Sequence, residues 1–128
     1  MIRVLVADDH LPMRKAIQAL LRRTEDIEVV GEASDGGEAL AKVKQLTPDV
    51  LVMDILMPEM DGIEATGKIV TEDSTVAVLL VSMFRDPYLI ERAIVKGARG
   101  YVHKSALAEE LIPAIRSVSE GNTHFPGK

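Results

Sequence analysis

Five apolar runs of strand length recur along the chain, at residues 2–7, 27–33, 50–53, 76–82 and 99–102. Between them the apolar positions shift to helical spacing, and this alternation is the mark of a parallel sheet covered on both faces. The first, third and fourth runs are nearly continuous in aliphatic residues and belong in the buried centre. The second, mixed with Glu28 and Glu32, and the short fifth belong at the edges. With right-handed crossovers this predicts an α/β, doubly wound, five-stranded parallel sheet in the order 2-1-3-4-5, the order familiar from flavodoxin-like folds.

Helix signals fit the gaps. Pro12 suits a first turn, and Met13, Ile17, Leu20 and Leu21 make a stripe opposite Arg14, Lys15, Gln18 and Arg22. Asp35 with Glu38 reads as a capping box, Asp86-Pro87 as a cap and first turn, and Gly97 as a left-handed stop. Pro113, inside the last helical stretch, predicts a kink or a late start. Residues 1–121 read as one domain, and 122–128 as a tail or the start of a linker.

Acid is concentrated where strands end. Asp8 and Asp9 close the first run and Asp54 closes the third. If those strands are neighbours, three carboxylates gather at the sheet's carboxyl edge, where the winding direction reverses and ligands bind. Ser82 and Lys104 arrive at the same edge from the fourth and fifth strands. Clustered carboxylates need an offsetting cation, and an oxygen-only ligand set selects a hard ion such as Mg²⁺, which keeps positions open for phosphate oxygens. The pattern reads as a magnesium-dependent phosphoryl site.

Composition removes other classes. The chain of 128 residues carries 15 basic and 20 acidic side chains, a net charge of −5, which disfavours direct contact with a nucleic-acid backbone. It has no cysteine, so thiol metal sites and disulfides are out, in keeping with a cytoplasmic protein. The longest apolar run is far short of a membrane span. Aromatic residues make up only 3%, so the core must be aliphatic.

The segments VLVADDH, PDVLVMDILMPEMDGIEAT, VLLVSMF and GARGYVHK occur in an order and spacing that resemble the receiver domain of bacterial two-component response regulators, over about residues 2–121. GEASDGGEAL, KGARGYVHK and AIRSVSEGN resemble its NarL/FixJ (LuxR-type) branch in particular. The resemblance implies that Asp54 is the phosphoacceptor and that Asp8, Asp9, Asp54 and the backbone carbonyl of Leu56 hold Mg²⁺. It implies that Lys104 pairs with the phosphoryl oxygens, and that Ser82 and Tyr101 form a switch that rearranges the fourth helix, fifth strand and fifth helix. The implied donor is a sensor histidine kinase and the implied self-partner a phosphorylation-dependent homodimer. DNA would be reached only through a C-terminal helix-turn-helix domain, of which these residues show no sign. Such a domain is a phosphoacceptor switch rather than a turnover enzyme.

Two positions depart from the wider family. Many receivers place a proline after the lysine, with a cis bond, whereas Ser105 follows Lys104 here. Met83, after Ser82, is larger than the small residue common across receivers and is expected to narrow access to Asp54. Gly62 reads as a turn or helix start, the three histidines as surface or loop residues, and Met53, Met57 and Met60 as packing. A haloacid-dehalogenase-type phosphatase would want an Asp-x-Asp pair where Asp8-Asp9-His10 stands. A flavodoxin-like carrier would want a glycine- or serine-rich loop there.

Overall fold

Aliphatic strands that bury both faces pair in the middle of a parallel sheet, because only helices on either side can cover them. In the computed structural model, which describes residues 1–127, β1 (Ile2–Ala7), β2 (Ile27–Ala33), β3 (Val50–Asp54), β4 (Ala77–Ser82) and β5 (Gly100–His103) form one sheet. Their order is β2-β1-β3-β4-β5 and all pairings are parallel, as the hydrophobic pattern predicts. The connections are α1 (Leu11–Leu21), α2 (Gly36–Leu46), α3 (Gly62–Glu72), α4 (Pro87–Lys96) and α5 (Leu107–Ser119). A 3₁₀ turn, Lys104–Ala106, precedes α5. No helix among the described residues is long and apolar enough to cross a membrane.

Alternation along each strand splits the core in two. Leu5, Leu51, Val78 and Leu80 point to one side, under Ala39 and Val43 of α2, Ile69 of α3 and Ala93 of α4. Val4, Val6, Val52 and Leu79 point to the other, under Ile17 of α1 and Leu111 and Ile115 of α5. Pairing of Ala7 with Met53, and of Asp54 with Val81, puts the ends of β1, β3 and β4 level with one another. β2, the mixed edge strand, slips by one residue opposite Val4 and Leu5.

The caps act as their chemistry requires. Asp35 accepts the Glu38 amide at 2.7 Å, while the Glu38 carboxylate accepts the Ser34 amide at 2.6 Å, one residue earlier than a capping box specifies. Asp86 accepts the Tyr88 amide at 2.9 Å, and Gly97 closes α4 at φ 104°. Pro113 does not delay or interrupt α5, which starts at Leu107 and runs unbroken to Ser119. The proline is exposed, and so is Glu109, the residue whose carbonyl it leaves without a helical donor, so water can serve in its place.

Two further expectations change. Gln18, placed on the outer face of α1, is 4% exposed, because it shares with Arg14, one turn away, the flank that meets Glu32 of β2. The segment after Gly121 also packs back onto the domain: the His124 amide bonds the Arg99 carbonyl at 2.9 Å, and the Tyr101 amide bonds the His124 carbonyl at 2.8 Å. Lys128, the last residue of the expected tail, lies outside the described residues.

At the carboxyl edge Arg14 donates to Glu32 at 2.6 Å and Lys15 donates to it at 3.1 Å. These two bonds, Arg14's first, hold the Glu32 carboxyl down to about 2, against an ordinary value of 4.5. A depressed carboxyl stabilises the fold fully above its unfolded range, and that contribution is lost as pH falls from about 4.5 through about 2. Glu32→Gln is therefore expected to lower Tm at neutral pH and to flatten the acid side of the Tm–pH curve within that window. An acid limb unchanged from the parent chain would contradict the assignment.

Candidate functional site

Asp54 is the last residue of β3, and Asp8 follows β1 directly, so parallel pairing of the two strands sets their side chains next to each other. Both are buried, Asp8 at 0% and Asp54 at 6% exposure, while Asp9 beside them is exposed. Carboxylate oxygens of Asp8, Asp9 and Asp54 all lie within 4.8 Å of one another. Two oxygens bound to one Mg²⁺ at ~2.1 Å are at most ~4.2 Å apart, so only small side-chain adjustments separate this cluster from a ligand set. The all-oxygen donor chemistry and the charge excess both fit such an ion.

Lys104, the first residue after β5, reaches across the strand ends. Its Nζ lies 3.2 Å from Asp8 Oδ2 and 3.2 Å from Asp54 Oδ2, with the lysine side chain only 9% exposed. Burial pushes the Asp54 carboxyl above the usual range; Lys104 opposes that shift, Asp8 adds to it, and a hydrogen bond from the Leu56 amide opposes it. One ammonium facing three carboxylates leaves this edge short of positive charge. The arrangement can hold a hard cation and, through it and Lys104, an anionic phosphoryl group beside Asp54.

The peptide between Lys104 and Ser105 is trans, since no described bond is cis. The lysine is positioned without proline through His103. The His103 Nδ1 accepts the Ser105 amide at 3.1 Å and lies 2.6 Å from Ser105 Oγ, while Nε2 lies 2.8 Å from the Met83 carbonyl. Arg85 donates to Ser105 Oγ at 3.1 Å. Accepting at Nδ1 leaves Nε2 as the protonated donor to Met83, so this ring ties the loop after β4 to the turn that carries Lys104.

The hydrogen bonds of the Ser82 and Tyr101 side chains go to Phe84. The Phe84 amide donates to Ser82 Oγ at 2.9 Å, and the Tyr101 hydroxyl donates to the Phe84 carbonyl at 2.9 Å. Tyr101 lies inward at 1% exposure, and burial raises its hydroxyl above the ordinary value. Met83 is 63% exposed and Leu56 57% exposed, at the rim of the site. Met53 and Met57 are buried and Met60 packs against the core, as packing residues.

Two residues given lesser roles from the sequence hold the site in shape. A Cβ on Gly62 would lie 2.2 Å from the Asp54 carbonyl oxygen and 3.0 Å from Cα of Ile55, so only glycine lets α3 start against the back of β3. The Gly62 amide also bonds the Ile55 carbonyl at 2.7 Å. Its signal is the Asp61-Gly62 pair, seven and eight residues after Asp54, which by itself reads as a turn. Arg14, placed on the solvated face of α1, donates to the Asp8 carbonyl at 2.6 Å while gripping Glu32, and nothing in the helical period shows this.

Comparison with known proteins agrees with this geometry. The family model of the response regulator receiver domain matches residues 4–116. The chain is 42% identical over its full length to the transcriptional regulatory protein LiaR of Bacillus subtilis (strain 168), covering 61% of that protein. It is 40% identical, over 97% of the chain, to the response regulator protein VraR of Staphylococcus aureus (strain Mu3 / ATCC 700698), covering 59% of it. The chain thus spans about three fifths of the length of these relatives. A crystal structure of a LuxR-family two-component response regulator from Aurantimonas sp. SI85-9A1 superposes with a TM-score of 0.92 at 36% identity, over 95% of this chain and 87% of that one.

Because Gly62 abuts backbone and not a flexible side chain, Gly62→Ala is expected to cost about 3 kcal/mol or more and to displace Asp54. Urea unfolding measures the cost. A loss below about 0.5 kcal/mol would show that the contact is easily relaxed.

Proposed function

The chain belongs to the response regulator receiver domain family, in its NarL/FixJ (LuxR-type) branch, and from that premise we propose that it is a phosphoacceptor switch acting through Asp54. The observation that carries the reading is the buried Asp54 carboxylate at the end of β3, with Asp8 beside it and the Lys104 ammonium 3.2 Å away. Receiver domains bind Mg²⁺ at an acidic pocket, and here Asp8, Asp9, Asp54 and the Leu56 carbonyl would hold it. When bound, that ion supplies the charge neutralisation that lets an anionic carboxylate approach an anionic phosphoryl group.

In the proposed reaction an Asp54 oxygen attacks the phosphorus of a phosphohistidine on a sensor histidine kinase. The P–N bond breaks, the imidazole leaves with its electron pair, and an acyl phosphate remains on Asp54. Lys104 exchanges part of its pairing with Asp8 and Asp54 for the new phosphoryl oxygens. Attack by water on the same phosphorus later restores the carboxylate, so the domain dephosphorylates itself without turning over a separate substrate. Met83, at the rim, limits access for small donors.

Propagation is proposed to run through Phe84, whose backbone joins the Ser82 hydroxyl to the Tyr101 hydroxyl. If Ser82 turns to the phosphoryl group it gives up the Phe84 amide, which frees the loop that leads into α4. One hydrogen bond to a charged group supplies roughly 1.5–3 kcal/mol, against about 5.5 needed to invert a 1:99 population. Lysine pairing and homodimerisation make up the remainder. The output in this branch is transcription regulation, here through a DNA-binding domain, with the whole acting in the cytoplasm.

Incubation with Mg²⁺ and acetyl phosphate is expected to add one phosphoryl group by intact mass, faster in Met83→Ala and not at all in Asp54→Asn. A modification that survives Asp54→Asn, or repeated turnover of a small phosphate monoester offered in place of acetyl phosphate, would sink the proposal. Without Mg²⁺, Asp54→Asn is expected to raise Tm, because it removes a carboxylate whose charged form burial penalises. Mg²⁺ at 100 times its Kd is expected to stabilise the parent chain by about 2.7 kcal/mol and Asp54→Asn by much less.

A further inference from the structure

After α5 the chain reverses through Gly121, at φ 91°, with the Asn122 amide on the Ser117 carbonyl at 3.1 Å. It then runs parallel to β5 along the edge not covered by β4, forming a bridge between Gly100 and His124. Four different contacts hold it. Two ladder bonds, His124 N–H to Arg99 at 2.9 Å and Tyr101 N–H to His124 at 2.8 Å, extend the sheet. His124 Nε2 lies 3.0 Å from Glu110 of α5. Phe125 packs against the core cluster that contains Tyr101, and Pro126 lines a cavity of about 340 Å³ together with Tyr101, Ile90, His103 and Glu110. Gly100 permits the approach, since a Cβ there would lie 3.2 Å from the His124 carbonyl oxygen.

We propose that residues 122–127 are a latch on the free edge of β5 whose docking is linked to the position of Tyr101. Inward, the Tyr101 ring belongs to the cluster on which Phe125 rests, and its amide donates to the latch. Outward, the ring would leave that cluster and fill the cavity whose wall is Pro126, removing support from one side of the segment and pressing on it from the other. Docking and the inward ring therefore favour each other, and linkage makes the effect reciprocal. The inference rests on the reading of Asp54 and its switch pair: phosphorylation that holds Tyr101 inward also holds the latch down. The signal is thereby converted into order in the segment that follows α5, and the β5 edge is closed to other strands.

Amide hydrogen exchange on the full chain, read by NMR with Mg²⁺ and with or without acetyl phosphate, tests the link. Phosphorylation is expected to slow exchange at the Tyr101 and His124 amides by about 5-fold or more. Phe125→Ala is expected to abolish their protection while the amides of β1 and β3 keep theirs. Equal rates at Tyr101 and His124, in chains whose modification is confirmed by mass, would overturn the latch. If no phosphoryl group is gained, the phosphoacceptor reading fails by itself, and Tyr101→Ala decides the latch: loss of His124 protection with an intact β1 supports it, and retained protection refutes it.

Discussion

Two buried carboxylates share one ammonium at the carboxyl edge of this sheet, and the rest of the structure is arranged around that imbalance. At 3.2 Å each pair gains roughly 5 kcal/mol of gross attraction at an effective dielectric near 20. Burying each ion costs several kcal/mol, so the pairs offset a penalty more than they stabilise the fold. The fold tolerates such a cluster because aliphatic packing on both faces of the sheet carries stability elsewhere. What the cluster supplies is a place where added positive charge, and then a phosphoryl group, lowers the energy of groups already present.

A cluster of this kind is useful only if it cannot relax, and its supports come from the backbone. Arg14 bonds the carbonyl of Asp8, Gly62 lets α3 lie against the carbonyl of Asp54, and His103 holds the turn that starts at Lys104. Each restrains the main chain of a charged residue while leaving its side-chain oxygens or ammonium to the ligand. The His103 and Ser105 arrangement also shows that the lysine reaches both aspartates from a trans peptide, so proline is one way of placing this ammonium and not the only one.

The fold was legible because its signals are local. Continuous aliphatic runs mark central strands, Asp35, Asp86 and Gly97 mark helix ends, and strand order follows from which runs are mixed or short. The meeting of Asp8, Asp9, Asp54 and Lys104 was legible for the same reason: each stands at a strand end, and parallel pairing does the rest. Gln18 and Arg14 were misplaced because the helical period reports which residues are apolar, and both sit on a flank buried by an ion pair with Glu32. Pro113 does not delay α5, because it and Glu109, whose carbonyl it leaves without a donor, are both exposed and water can replace the lost bond. His103 carried no sign of its role, because its partners are a backbone carbonyl on another segment and a serine two residues on, neither of which a sequence pattern marks.

The segment after α5 was misread for a more general reason. Residues 121–127 hold one large apolar side chain, Phe125, too few to show a strand period. Their pairing is dictated by what they meet: a short edge strand with the Tyr101 amide still to be bonded, and a glycine that lets a backbone close in. An exposed strand edge is a liability in any sheet and is usually blunted by charge, proline or cover. At β2 the acids and the register slip serve that purpose, whereas at β5 the cover is the chain's own continuation. Because this cover bonds to Tyr101, whose hydroxyl bonds to the residue that also holds Ser82, the protection of the edge and the state of the site are parts of one connected structure.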